Sequence, residues 1–330
     1  MSSLAIDEQF REAVDKALDR CDNFFLGQSV LNCRPFVLND VVIGFVRGNF
    51  IPLLGKYNDV FIVRSETDEY PLGYVTLNTD LCTREGRNAS IRKVCEQIRD
   101  SGEYSPLKAW RNELYMASAT YSGEPEFGIE RSGAGLIGIK QYGAHVNGYI
   151  WVETEHGKEM QMWIARRAKT KPTFPGLLDQ IVAGGIGNGL GVRETVIKEA
   201  EEEAGMSADI AERAVAAGCI SYFYEDAVRG LFPETEYVFD IELPASFTPT
   251  IIDGEVSEFF CWPLAEVCRR ISLGEFKPNC AIVILDFLVR HGYITADNFS
   301  DFDSFVARLR RNTAPSASYR DILARRNISR

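Results

Sequence analysis

The stretch that most constrains this chain is 184–206, GGIGNGLGVRETVIKEAEEEAGM. Glycines at 184, 185, 187, 189 and 191 preclude a regular helix or strand interior, so the backbone must turn there. Past them the residues are good helix formers, and Gly205 stands where a helix ends in the left-handed region. Positions i, i+3 and i+4 share one helix face, so Glu199, Glu202 and Glu203 converge on one surface beside the glycine loop. A run of glutamates is commonly just a solvated face. Here an apolar strand end at 181–183, the glycines and the closing Gly205 all fall in register with it. Three carboxylates that close repel one another unless a cation lies among them, and oxygen ligands suit Mg²⁺ or Mn²⁺. A loop of exposed N–H groups beside such a metal points to chemistry on a diphosphate.

The segment resembles the Nudix box, G-x5-E-x7-R-E-U-x-E-E-x-G-U with U apolar. Gly184 opens it, Glu199 is the glutamate of the R-E pair, Ala200 is U, Glu202 and Glu203 are the E-E pair, and Gly205 and Met206 close it. Two positions depart: the box arginine is Lys198, which keeps the charge but loses the bidentate fork, and the first box glutamate is Leu190. The resemblance implies an α+β chain with a Nudix-type α/β/α sandwich. It also implies one to three divalent ions held by Glu199, Glu202 and Glu203, which polarise a phosphoryl oxygen and lower the pKa of the attacking water. The box glutamates Glu199 and Glu203 are catalytic candidates. The general base varies across the family; Glu199 and, on a distant loop, Glu255 are the candidates here. Gly184, Gly185 and Lys198 are placed to meet substrate phosphates.

At 330 residues the chain has room for two domains, and 45% hydrophobic with 25% charged residues is a globular composition. A net charge of −11 argues against nucleic acid or an anionic membrane as the main partner. No apolar run approaches a membrane span, and MSSLAIDEQF is not a secretory signal. Eight cysteines without C-x-x-C spacing fit free thiols in a reducing compartment, so a cytoplasmic protein is expected. The oligomeric state is left open between monomer and homodimer.

Periodicity predicts a helix over 4–20, strands at 34–38, 41–46, 60–63 and 73–76, and helices at 88–101 and 107–115. These make a small α+β domain, 1–133. Strands follow at 135–139, 148–152, 160–165, 178–183, 218–224, 235–242 and 256–262, with helices after the glycine loop and at 263–273 and 278–291. That second domain, 134–295, is the Nudix unit. Residues 296–330 read as a surface helix and a loose tail.

Two further groups can carry chemistry. Arg166 and Arg167, with Lys169 and Lys171 after them, precede the box and can pair with a diphosphate; strand parity favours Arg167. The segment 141–149, QYGAHVNGY, offers Tyr142, His145 and Asn147 beside glycines, to stack on and hydrogen-bond a heteroaromatic ring. His156 and His291 lie in unrelated contexts, so His145 is not read as a metal ligand.

The resemblance extends over nearly the whole chain to Nudix proteins related to thiamine pyrophosphokinase, which carry a small N-terminal domain of undefined role. It rests on ELYMASATYSGEPEFGIERSGAGLIGIKQYGAHVNGYI (113–150), WIARRAKTKPTFPGLLDQIVAGGI (163–186) and FKPNCAIVILDFLVRHGYIT (276–295). It implies hydrolysis of thiamine diphosphate or its oxidised oxothiamine and oxythiamine analogues to the monophosphate. No kinase domain follows, so kinase activity is not implied. Two alternatives stay open: hydrolysis of a nucleotide diphosphate derivative such as ADP-ribose or a nucleotide sugar, and a non-catalytic ligand-binding Nudix module.

Overall fold

The computed structural model describes residue 4, residues 6–155 and residues 157–326; His156 and the last four residues of the expected tail lie outside them. The first helix, α1 (Glu8–Cys21), is capped by Asp7, whose carboxylate accepts the Phe10 N–H at 2.8 Å. Strands β1 (Arg34–Leu38) and β2 (Val41–Val46) form a hairpin, α2 (Ile51–Gly55) follows, and β3 (Phe61–Arg64) and β4 (Tyr74–Leu77) complete a sheet of order β2-β1-β4-β3. Against it packs α3 (Arg84–Ser101), stopped by Gly102 at φ 75. Ile91, Val94 and Ile98 of α3, with Phe36, Phe61 and Val75 of the sheet, lie in one buried core.

The expected helix at 107–115 is a 3₁₀ turn at Ser105–Ala109 followed by β5 (Leu114–Ala117). Asn112 at φ 58 interrupts any helix, and β5 pairs with β6 (Phe127–Glu130) instead. The expected strand at 135–139 is a helical turn, α4 (Ala134–Ile137), ended by Gly138 at φ 54. Its residues are buried on every side, so no alternation separates helix from strand.

The larger sheet is built from β7 (Gln141–Thr154), β8 (Gly157–Arg167), β9 (Leu178–Gln180) and β10 (Val182–Gly185), then three strands beyond α5 (Val192–Ala204) and α6 (Ala208–Ala211). Those are β11 (Val215–Asp226), β12 (Gly230–Glu242) and β13 (Val256–Pro263), giving the order β11-β12-β7-β8-β13 with β10 on β7 and β9 on β8. Alternation along the strands feeds two cores. Ala144, Val146, Phe239 and Ile241 meet Val196, Ala200 and Ala204 of α5 on one face. On the other, Met162, Ile164, Tyr222 and Val238 meet α7 (Leu264–Ser272) and α8 (Pro278–Arg290). The result is a three-layer sandwich.

The layers are not closed by residues 134–295 alone. Phe10, Val14 and Leu18 of α1 belong to the core of α7 and α8. The segment expected to be a loose tail forms α9 (Phe302–Arg308) and α10 (Pro315–Arg325), and Tyr319, Ile322 and Leu323 are buried. They lie in a third core with Phe24, Phe25, Phe45 and Phe223, the last stacked on Phe24 at 4.1 Å. That core joins the N-terminal sheet to β11. Phe223→Ala is expected to cost about 3–5 kcal/mol and to loosen both parts in one urea transition; a loss below about 1 kcal/mol would show that Phe223 does not couple them.

Candidate active site

The site forms where β10 pairs antiparallel with β7, setting Gly184 opposite Ala144 and Gly185 opposite Gly143. A Cβ on Gly184 would lie 2.3 Å from Cδ of Glu199, and one on Gly185 would lie 2.1 Å from the Tyr115 hydroxyl. Bare backbone at these positions lets the α5 carboxylate and the β5 aromatic close in from either side. Gly191 precedes α5, and its N–H is accepted by the Glu194 carboxylate at 2.8 Å. With Leu190 where the box has a glutamate, Glu194 braces this end of the loop.

Along α5, Glu203 is buried and accepts the Ala183 N–H at 2.9 Å. Burial pushes its carboxyl well above the usual range, against that hydrogen bond, and the Asp179 and Glu199 charges add to the rise. Glu199 is also raised by burial, opposed by Lys198. The Lys198 ammonium lies 3.2 Å from Glu199 and 2.6 Å from Glu202. These are three carboxylates of one helix, one bonded to a backbone N–H and two bridged by a cation of the protein itself. They fit a hard divalent ion better than any softer metal. A second group, His145, Asp179 and Cys280, brings its ligand atoms within 4.8 Å of one another. Its atoms are already engaged: Asp179 with Arg167 and the Cys280 thiol, and His145 with Gln180.

Glu199 and Glu202 open onto a cavity of about 800 Å³. Its walls come from the loops carrying Lys171, Phe174, Asp253 and Glu255, and from Arg111, Glu113, Tyr115 and Arg131 of the N-terminal part. Arg131 pairs with Glu113 at 2.9 Å and lies over the Tyr115 ring. Lys171 is bonded to Glu255 and, against partial burial, holds that carboxyl below its usual range. Arg111 and Lys277 line the cavity without an ion-pair partner among the described residues, leaving two cations for an anionic ligand. The floor holds Glu234, Glu236, Tyr222, Asn279 and His145.

Of the residues singled out in sequence, Glu199, Glu202, Lys198, Gly184, Gly185, Glu255, Arg167, Tyr142 and His145 line this cavity, and Glu203 lies directly behind it. Arg167 is spent on Asp179 at 2.7 Å and on two loop carbonyls, so it braces the wall rather than offering a free charge. Arg166 points to the other face, over Phe260 and toward Glu258, and does not reach the cavity. Asn147 is likewise outside it, donating to Asp240 at 3.0 Å, because β7 carries it past the end of β10. Tyr142 packs with Tyr121 and Tyr237, and the segment 141–149 is strand, not flexible loop.

Sequence reasoning missed Gln141, Glu234, Glu236, Lys277 and Asn279. The signal was there for two of them: FPETEY sets glutamates at 234 and 236 on one face of a strand that is otherwise largely apolar. Lys277, Arg111 and Arg131 carry no comparable local pattern.

A family model described as NUDIX domain matches residues 144–280, and one described as a domain of unknown function (DUF4743) matches residues 13–141. The chain is 38% identical over 276 residues to Nudix hydrolase 20, chloroplastic, of Arabidopsis thaliana, covering 82% of this chain and 71% of that protein. To Nudix hydrolase 24, chloroplastic, of the same plant it is 37% identical over 285 residues, covering 85% and 73%. An uncharacterised protein of Saccharomyces cerevisiae is 38% identical over 239 residues, 68% of each chain. Fold, site and relatives define a hydrolase of pyrophosphate bonds. The chain belongs to the Nudix hydrolase family.

Two outcomes follow from this geometry. Gly184→Ala pushes Glu199 off its position, so half-saturation with Mn²⁺, followed by the manganese spin-resonance signal, is expected to need at least about tenfold more metal. Unchanged affinity would remove Glu199 from the ligand set. Burial and the Glu236 charge raise Glu234 to about 7, above the unfolded value near 4.3. Between those values the folded state holds a proton that the unfolded chain has lost, so metal-free stability falls as pH rises through the window. Glu234→Gln is expected to flatten that decline in melting temperature; superimposable profiles would contradict it.

Proposed function

We propose that this Nudix hydrolase cleaves the diphosphate of a thiamine diphosphate-like substrate, releasing the monophosphate and inorganic phosphate. The observation that carries the diphosphate part is the junction of Glu199 and Glu202, with Glu203 behind them, and the cations Lys171, Arg111 and Lys277 around one cavity. The likeness of segments 113–150, 163–186 and 276–295 to Nudix proteins related to thiamine pyrophosphokinase supports the thiamine part. A cavity that holds aromatic and hydrogen-bonding side chains as well as cations is consistent with it.

Glu199, Glu202 and Glu203 would hold Mg²⁺ or Mn²⁺, which supplies Lewis-acid polarisation of a phosphoryl oxygen and a more acidic bound water. The protein's own groups do the rest. Arg111 and Lys277 offset phosphate charge, and Arg131 with Glu113 and Tyr115 shapes the wall from the N-terminal part. Two carboxylates are placed to take a proton from water. Lys171 holds Glu255 ionised and weakly basic, and Glu199 lies among the carboxylates that would hold the ion. Glu255 positions Lys171 for the substrate in this account.

An ADP-ribose-like substrate is the second reading, favoured by a cavity roomy enough for a nucleoside. Oxothiamine diphosphate, thiamine diphosphate and ADP-ribose offered to purified protein with Mn²⁺ separate the two. Turnover of a thiamine compound is expected to be fastest; turnover of ADP-ribose alone replaces the first reading by the second. Glu203→Gln is expected to lower kcat by about 10²-fold or more with the fold intact by circular dichroism. A wild-type protein that hydrolyses none of the three while binding them would make this a ligand-binding module.

A further inference from the structure

The N-terminal region meets the site at the glycine loop. The Asn188 N–H donates to the Leu114 carbonyl at 3.2 Å, which seats β5 against the loop. In the β5–β6 hairpin Leu114 pairs with Glu130, so Glu113 and Arg131 come next across it, and the Arg131 N–H donates to the Glu113 carbonyl at 2.8 Å. The Arg131 guanidinium is then fixed twice. Its Nη1 donates to Glu113 Oε2 at 2.9 Å, and the group lies over the Tyr115 ring at 5.2 Å. Its Nη2 makes no hydrogen bond among the described residues, and Arg131 lines the cavity. An arginine given wholly to bracing the wall looks different: Arg167 is spent on Asp179 and two loop carbonyls.

A separate observation places that free end. Successive strand residues turn opposite faces, so bare Gly184 and Gly185 open two sides of β10. On one side a Cβ at 184 would strike Glu199; on the other a Cβ at 185 would lie 3.1 Å from Arg131 Nη2. Glu199 and Arg131 thus stand on either side of the same two residues of backbone, and both line the cavity. The carboxylate side suits a cation, and the side with a free Nη2 suits an anion. Because Glu113 and Tyr115 already hold the guanidinium, little side-chain freedom is lost when Nη2 meets a ligand.

We propose that Arg131 is a catalytic residue lent by the N-terminal region. Its Nη2 donates to a phosphoryl oxygen of the diphosphate on the side of β10 opposite Glu199, and offsets charge there as the anhydride bond breaks. The assignment rests on the reading of the cavity as a diphosphate site, and it gives the N-terminal region a share in that site's chemistry.

The probe is imidodiphosphate, a diphosphate whose bridge is nitrogen, titrated calorimetrically into the purified protein with and without Mg²⁺. Arg131→Gln is expected to weaken its binding by about tenfold or more, while half-saturation with Mn²⁺ moves by less than about threefold. Glu113→Gln leaves an amide oxygen for Nη1 and removes a charge that competes for the arginine, so it is expected to tighten binding by about twofold. On whichever diphosphate the wild type hydrolyses, Arg131→Gln is expected to lower kcat by about 10²-fold. A strut would act through its pair with Glu113, so equal weakening by the two substitutions overturns the proposal. Loss of Mn²⁺ affinity in step with the ligand also overturns it, by assigning the effect to a displaced Glu199. Should Arg131→Gln fail to fold, Arg131→Lys decides: the charge stays but the fork is lost, and binding is expected to weaken by about fivefold or more. If the wild type binds imidodiphosphate and Arg131→Gln or Arg131→Lys binds it equally well, the Arg131 assignment alone falls. If the wild type binds it under neither condition, the diphosphate reading fails and takes the assignment with it.

Discussion

The pairing of β10 with β7 is the constraint on which the site depends. Ordinary strands meet with side chains on both faces, but here Gly143, Gly184 and Gly185 leave the ladder bare over its last turns. Glu236 fills the space over Gly143, Glu199 closes on Gly184, and Tyr115 reaches Gly185. Three acidic or aromatic groups from β12, α5 and β5 are thereby brought against one short piece of backbone. Any Cβ on these residues would push one of them away. The cost of so much glycine is backbone entropy, offset by the sandwich cores packed on either side.

A second constraint concerns how the chain closes on itself. The sandwich takes α1 from the N-terminal end as a helix of its own outer layer, and α10 from the C-terminal end packs on the N-terminal sheet. The two ends of the chain thus each pack on the part of the fold distant from them in sequence. This is why residues such as Arg111, Glu113, Tyr115 and Arg131 stand in the cavity wall. The N-terminal region lines part of the cavity onto which Glu199 and Glu202 of the box open.

Much of this was legible from residue pattern. Strands at 34–38 and 41–46 and the helices at 263–273 and 278–291 are visible because one face or the whole element is apolar. The glutamates of α5 are visible because helical spacing alone puts them together. What stayed hidden has physical reasons. Residues 135–139 are buried all round, so their periodicity does not distinguish a turn of helix from a strand. The tail is amphipathic only against a partner sheet far away in sequence. Arg167 looks like a free cation until Asp179 is found 2.7 Å away. Asn147 looks like a pocket residue until the end of β10 is located. Tertiary pairing, not local pattern, decides each of these.

The α5 glutamates, and not the buried His145, Asp179 and Cys280 group, are proposed to hold the catalytic ion. Anomalous diffraction at the manganese edge from crystals grown with Mn²⁺ tests it most directly. A peak bounded by the carboxylates of Glu199, Glu202 and Glu203 is expected, with Lys198 displaced from between them. A peak among His145, Asp179 and Cys280, with the glutamates still closed on Lys198, would contradict it.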